Sequence, residues 1–535
     1  MQLIKDASKD KLRGGFYTPV PIADFLVAWT LEDATSESLI LEPSCGDGVF
    51  LERIEVQNVP YRQLVGIELE EEEFVKSRSA NANAMVLNED FHQYCNSTEQ
   101  RFDYVIGNPP YIRFQYFDAE QQQQAQSIYE RAGLKYSKLS NAWVSFVVGS
   151  TLLLKEQGRL AFVLPAELLQ VSYAKQLRAF LAEQFNTIYI VSFQTLVFPH
   201  IQQEVVLLMC ERDGSGTHQI NHVEVEDAKA LEQLDLADLK QGSKTLDLSN
   251  NKWTYYFLNQ EEITFLNTVG EQFGIKPLGA YARVEVGMTT GANKFFTVSQ
   301  ETVRKYALEP FTNPMVGRSV QVAGSVFTTE EWRANVVDGA RAFLLTFPED
   351  GILREQGALS YIEYGEDQDI HKGYKCRIRD HWYVVPSRWV SDALLIRRNN
   401  LYTRLILNEA NAYTTDTMHR VRVDESYDTN AVVASFYNSL SFAFAEISGR
   451  SHGGGVLELM PNETERILLP YKKKHRKLLL TIDELLKEGT DIQDVLKLTN
   501  KVILKEGFGF SSKQIDLAHG IWEKLSGRRL RRGKS

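Results

Sequence analysis

The chain is poor in cysteine, has no long apolar run, and lacks the surplus of positive charge expected of a nucleic-acid binder. Its four cysteines, Cys45, Cys95, Cys210 and Cys376, are spread over 535 residues. They form no CxxC pair, so neither a disulfide framework nor a zinc site is supported, and a reducing, cytoplasmic setting is expected. No stretch approaches the ~20 apolar residues that cross a bilayer, and the polar, charged N-terminus carries no secretory signal. No membrane partner is therefore expected. Gly-x-Gly-x-x-Gly spacing is also missing, which counts against a dehydrogenase. The net charge is −11, but it is unevenly distributed: residues 1–250 carry −14 and the remainder +3. A polyanion would be gripped mainly by the second half.

What is present is an ordinary globular composition, 43% hydrophobic and 24% charged, in a chain long enough for more than one core. Residues 1–250 alternate between strand-like runs and helix-like stretches. The runs include Leu39–Leu41, Leu64–Ile67, Tyr104–Ile106, Leu160–Leu164, Ile188–Val191 and Val205–Leu208. Helix-like stretches include Pro21–Leu31 and Tyr173–Gln184. This rhythm predicts an α/β fold with a mostly parallel sheet, whose ligands sit beyond the carboxyl ends of the strands. Gln121–Gln124 reads as a polar, mobile loop. From 251 to 470 the rhythm gives way to short β-type runs, aromatics and turns, predicting a mixed α+β domain. Residues 471–535 read as a helical C-terminal segment. Its closing basic run, Arg528-Arg529-Leu530-Arg531-Arg532, reads as a frayed, solvated tail.

Leu39 to Phe50 reads as strand, tight turn and helix, with Gly46 and Gly48 permitting unusual backbone angles and close ligand approach. Glu68 ends the next strand, where a carboxylate can accept both ribose hydroxyls of a nucleoside. Asp90 beside Phe91 offers an adenine ring one polar contact and one flat face. Three such features at successive strand ends point to a nucleoside cofactor.

Phe102 to Tyr111 reads as a strand followed by a rigid loop. Pro109 and Pro110 fix φ and remove two backbone donors, leaving a loop rich in acceptors. The Asn108 side-chain oxygen and the Pro109 carbonyl suit a planar NH2 group. Two hydrogen bonds accepted from that nitrogen localise its lone pair toward an incoming methyl. Transfer then needs positioning and somewhere for the lost proton to go. Tyr111 offers a face on which a base can stack.

Residues 14–210 resemble the amino-methyltransferases, and most of all the N6-adenine DNA methyltransferases of restriction–modification systems, in the gamma order of the TaqI and Eco57I type. Gly15-Phe16-Tyr17-Thr18-Pro19 resembles motif X, which packs round the methionine end of the cofactor. Leu41-Glu42-Pro43-Ser44-Cys45-Gly46 resembles motif I. Glu68 matches the ribose-binding acid, Asp90-Phe91 the adenine-binding pair, Asn108 to Tyr111 the catalytic motif, and Leu160 to Pro165 the strand of motif VI. Phe198 falls where the family places a second aromatic against an extruded base. The resemblance implies S-adenosylmethionine as cofactor, held by Tyr17, Thr18, Glu42, Pro43, Ser44, Gly46, Glu68, Asp90, Phe91 and Asn108. It implies catalysis by Asn108, Pro109, Pro110, Tyr111 and Phe198 on a flipped-out adenine of double-stranded DNA, with no metal, by a monomer acting apart from any cognate endonuclease.

The loop alone does not select DNA, because enzymes acting on protein glutamine amides and on guanine N2 of ribosomal RNA share it. Motif X ahead of motif I, followed by about 280 residues, favours a duplex-reading enzyme with a target-recognition domain at 251–470. The candidate DNA contacts are Lys375, Arg377 and Arg379 among aromatics, Arg420 and Arg422, and Arg450 and His452 beside Gly453–Gly455. Arg397, Arg398 and the loop Gly287–Asn293 join them. Arginine can pair bidentately with guanine, and lysine contacts phosphates. The alternatives are an RNA N-methyltransferase and a DNA-binding specificity protein with a vestigial methyltransferase fold.

Overall fold

The computed structural model describes residues 17–138, 140–198, 203–247, 252–386, 389–452 and 454–531. Of the residues singled out above, Gly15, Phe16, Gly453 and Arg532 lie outside that set. The chain divides into two compact units, one ending at Ile263 and the other beginning at Thr264.

The first unit is built on a nine-stranded sheet. Its strands are β1 (Leu39–Glu42), β2 (Gln63–Glu68), β3 (Met85–Asn88), β4 (Phe102–Gly107), β5 (Leu154–Pro165), β6 (Thr187–Phe193), β7 (Val205–Glu211), β8 (Gln219–Val225) and β9 (Lys244–Thr245), in the order β3-β2-β1-β4-β5-β7-β6-β8-β9. Pairing is parallel from β3 through β5 and between β6 and β8. β7 runs antiparallel between β5 and β6, and β9 closes the edge antiparallel to β8. The sheet is thus mostly parallel, as the alternating pattern predicts. Central strands covered on both faces need apolar side chains on both, and Leu160–Pro165 of β5 is buried throughout.

Helices α1 (Val20–Thr30) and α2 (Val49–Val56) pack on the sheet. Ile22, Leu26, Phe50 and Leu51 meet Ile40, Ile106, Ala161 and Val163 in one core. Then come α3 (Glu71–Ala80), α4 (Phe91–Ser97), α5 (Ala119–Arg131), α6 (Ala142–Leu153) and α7 (Lys175–Gln184). The tract Gln121–Gln124 is a correction: it lies inside α5. Asp118 caps that helix through the Gln121 amide, and the Gln121 side chain accepts from the Asp118 amide in return. Ala125, Ile128 and Tyr129 bury its inner face.

The second unit is mixed. A five-stranded sheet takes the order Ala282–Val286, Met418–Val423, Ala393–Ile396, Leu405–Asn408 and Val326–Phe327. A four-stranded sheet sits in a second core that includes Phe295, Phe296, Phe343, Phe347 and Tyr361. Helices follow, including Ser439–Ser448 and the closing Ser512–Arg531. Among the described residues no helix is long and apolar enough to cross a membrane.

The tail is a second correction, because Arg529 is not solvated. It is 2% exposed, and its guanidinium forms a bidentate pair with Glu446, at 3.0 Å from Nε and 2.7 Å from Nη2. Nη1 also donates to the carbonyls of Asn400 and Gly455. Sequence proximity to other arginines hid a side chain that ties the last helix to two turns. Removing one partner of a buried ion pair strands the other charge, at a cost of about 3–5 kcal/mol. Arg529→Ala is expected to lower the unfolding free energy of the second unit by that amount, read as a fall in its urea midpoint. A midpoint unchanged within error would show the pair to be dispensable.

Candidate functional site

The site grows from the turn after β1. The Cys45 amide donates to the Ile67 carbonyl at 2.9 Å, tying the turn to β2. Gly48 caps α2 with φ +90°, and a Cβ there would fall 2.7 Å from Ala80 Cβ and 2.8 Å from Ser77 Cα. Glycine is required there on both counts. The Gly46 amide donates to Glu68 Oε2 at 2.8 Å, and the Glu70 amide to Oε1 at 2.9 Å.

These residues border a cavity of about 710 Å³. Its lining includes nine carboxylates (Glu42, Asp47, Glu68, Glu70, Glu71, Glu72, Glu73, Glu89 and Asp90) and, among the described residues, no lysine or arginine. Burial pushes the Glu42 carboxyl well above the usual range, with Asp47 and Glu68 adding repulsion. Its Oε2 is buried and accepts no hydrogen bond among the described residues. Burial likewise raises Glu68 against its two backbone donors, and raises Asp47. Asp90 goes the other way. Burial would raise it, but hydrogen bonds led by His92 outweigh that and hold it below the usual range. The His92 amide donates to Asp90 Oδ1 at 2.6 Å, and Gln121 Nε2 to Oδ2 at 3.3 Å.

The loop after β4 forms the other wall. Asn108 Nδ2 donates to Thr18 Oγ1 at 3.1 Å. The Tyr111 hydroxyl lies 2.8 Å from Asn108 Oδ1 and 3.0 Å from the Val163 carbonyl, and donates to them. Ser44 Oγ donates to the Asn108 carbonyl at 3.2 Å. The carboxamide is thus held at both ends, its nitrogen donating to Thr18 and its oxygen accepting from Tyr111. Burial raises the Tyr111 phenol well above its ordinary value, so it stays neutral and a donor.

All ten residues expected to hold a cofactor, Tyr17, Thr18, Glu42, Pro43, Ser44, Gly46, Glu68, Asp90, Phe91 and Asn108, line this one cavity, as does Pro110. Tyr111 and Phe198 pack on the same core cluster, where Phe198 is buried. Several lining residues went unforeseen. Phe146, on α6, stacks on Phe91 with ring centroids 4.8 Å apart, and Tyr116, Phe117 and Gln121 also border the cavity. α6 is buried all round, so no periodicity singles out Phe146. The Tyr17 hydroxyl donates to Glu73 at 3.1 Å, tying one lining residue to another.

The expected DNA contacts fall on three elements of the second unit. Lys375 and Arg377 lie exposed on the short helix Tyr374–Arg377. Arg379 is turned inward and donates to the carbonyls of Thr289 and Thr290, bracing the loop Gly287–Asn293. Arg420 and Arg422 lie on the strand Met418–Val423. Arg450 pairs with Glu463 at 2.9 Å, while His452, Arg397 and Arg398 all converge on the buried Glu458.

A family model described as Eco57I restriction-modification methylase matches residues 49–198, and one for the C-terminal domain of the type II methyltransferase M.Eco57I matches residues 250–504. Both matches are to the Eco57I type, and they mark the chain as a restriction–modification methyltransferase. It aligns along most of its length with curated relatives. Type II methyltransferase M.AccI of Acinetobacter calcoaceticus is 24% identical over 474 residues, covering 84% of each chain. Type II methyltransferase M.PaeR7I of Pseudomonas aeruginosa is 22% identical over 525 residues, covering 86% of each. Among solved structures, the type IIG restriction endonuclease BpuSI aligns over 98% of this chain and 67% of its own, at 15% identity and a TM-score of 0.42.

The acidic cavity makes this methylase's own stability depend on pH. A carboxyl with a raised folded-state pKa binds its proton more tightly in the native state, so stability falls as pH rises from the ordinary glutamate range through the raised value. Glu42, Glu68 and Asp47 share that sign, and Asp90 opposes it. The ligand-free protein is expected to melt at progressively lower temperature from about pH 5 upward, starting near the ordinary glutamate pKa. Glu42→Gln should flatten that slope. A slope unchanged in the variant would remove Glu42 as its source.

Proposed function

We propose that this methylase transfers a methyl group from S-adenosylmethionine to N6 of an adenine flipped out of double-stranded DNA, protecting host DNA from a separate restriction endonuclease. The observation that carries the reading is the carboxamide of Asn108, hydrogen-bonded at both ends on the wall of a cavity lined by carboxylates and by the ring of Phe91. The residues fit such a cofactor. An unpartnered buried Glu42 oxygen and the lack of lining lysine or arginine favour a cationic group. Glu68 would hold the ribose hydroxyls, Asp90 and Phe91 the adenine with Phe146 behind it, and Tyr17, Thr18, Pro43, Ser44 and Gly46 the methionine end. When bound, the cofactor supplies an electrophilic methyl carbon on a sulfonium.

The chain's own part is orientation. Asn108 Oδ1 accepts from Tyr111 and, together with the Pro109 carbonyl, would accept the two N–H groups of the target amine. Its lone pair is thereby directed along the one remaining line. The amine becomes cationic as the bond forms, and the acceptors that hold its hydrogens stabilise that charge. N6 of a stacked, paired adenine is out of reach, so the base has to leave the duplex. The Tyr111 ring would form one wall for it, and Phe198 the other once its face is uncovered.

The second unit supplies the duplex-reading surface in this reading, with Lys375, Arg377, Arg422 and the loop Gly287–Asn293 as its exposed basic and close-approach elements. Single-molecule sequencing of DNA from an expressing host tests the whole proposal. N6-methyladenine in a fixed sequence context is expected, and labelling of ribosomal RNA in place of duplex DNA would overturn it. Asn108→Ala is expected to abolish transfer, a loss of at least about 100-fold for one transition-state contact. Cofactor affinity by calorimetry should largely survive. Weakened cofactor affinity with kcat intact at saturating cofactor would show that Asn108 serves the cofactor and not the amine.

A further inference from the structure

One face of the second unit holds more guanidinium than its surroundings neutralise. Strands Ala282–Val286 and Met418–Val423 pair antiparallel, setting Arg283 opposite Arg422 and Glu285 opposite Arg420. Like charges directly opposite in a strand pair destabilise the sheet. Glu285 answers Arg420 at 3.5 Å. Among the described residues no carboxylate lies within 4.0 Å of Arg283 or Arg422, and both are exposed.

Trp389 lies against this rung. The guanidinium carbon of Arg420 sits 4.4 Å from the centre of the indole, and that of Arg422 sits 4.2 Å from it. The two arginines differ sharply in their surroundings. Arg420 is 5% exposed, and its Nε donates to the Val286 carbonyl at 3.3 Å. Arg422 touches the indole and is otherwise open to solvent. An exposed arginine ordinarily samples many rotamers. Stacked on a flat ring it keeps its charge while its plane is fixed, so less freedom is lost when it forms a forked pair.

We propose that Trp389 is a positioning residue that orders Arg422 to read a guanine edge in the duplex, with Arg420 as the buried side of the same stack. The proposal rests on the DNA reading above and adds to it the chemistry of one recognised position. Guanine presents two acceptors, O6 and N7, in the major groove, and matches a guanidinium in a fixed plane. A phosphate contact needs charge and tolerates a wandering side chain, so it gives no reason to stack the arginine. The unopposed charge of Arg283 and Arg422 draws the polyanion to the same face.

The test compares kcat/KM on the cognate duplex with that on duplexes altered at one base pair each, for wild type, Arg422→Ala, Arg422→Lys, Trp389→Phe and Trp389→Leu. Arg422→Ala, Arg422→Lys and Trp389→Leu are expected to lose discrimination at one and the same G·C position, by about 5- to 150-fold. Discrimination elsewhere should stand, and Trp389→Phe, which keeps a flat face, should fall between. Arg422 is exposed, so its variants remain folded even if Trp389→Leu does not. Uniform weakening by Arg422→Ala, with the salt slope reduced by about one, would assign Arg422 to a phosphate and overturn the proposal. So would a wild-type recognition site without a G·C pair, or unchanged discrimination in Arg422→Ala. A wild-type protein that modifies no duplex DNA would bring down the functional reading and this inference together, a result distinct from an active wild type with unaltered variants.

Discussion

Parallel pairing of β1 with β2 on one side and β4 on the other brings three chemistries to one sheet edge. Leu41 stands beside Val65 and Val105, so Glu42 ends its strand level with Gly66, and Glu68 and Asn108 lie level with each other two positions further along. Parallel strands all point their carboxyl ends the same way. Everything placed after those ends shares one cavity, although the residues come from positions 42 to 146 of the chain. The Cys45–Ile67 hydrogen bond and the close fit of Gly48 under α3 hold the turn against that edge. A slip of one strand by one residue would turn that strand's own acid to the wrong face.

Much of the first unit was legible because its signals are local. Strand runs, glycines and prolines act through their own backbone, and the acids sit where strands stop. The parts that were missed act at a distance. Phe146 reaches Phe91 only after α6 packs, and a helix buried on every side shows no stripe. Gln121–Gln124 looked like a loop by composition, although the Asp118 to Gln121 capping pair was in the sequence; capping outweighed polarity. Arg529 was read from its charged neighbours, but its environment is set by Glu446 and by carbonyls some 74 to 129 residues earlier in the chain. Charge alone cannot say whether an arginine faces water.

The second unit shows the same limit for surfaces. Basic residues that look equivalent in sequence have different occupations. Arg379 braces a loop, Arg450 and His452 are engaged by glutamates, and Arg420 is buried beneath an indole. Lys375, Arg377 and Arg422 stay exposed. Residue type supplied the inventory, and cross-strand register with intramolecular ion pairing determined which members are available.

The two-sided grip on Asn108 has a consequence for inheritance. Thr18 and Tyr111 hold the two ends of this side chain at the reach of a single methylene. Aspartate could accept from both hydroxyls at that reach, but serine is too short for both and glutamine displaces the group by a carbon. The position therefore has a very short alphabet. A lineage can drift at every surface arginine by graded steps, yet most mutations at this codon break the grip in a single step. Descendants should keep this asparagine long after the rest of the chain has diverged.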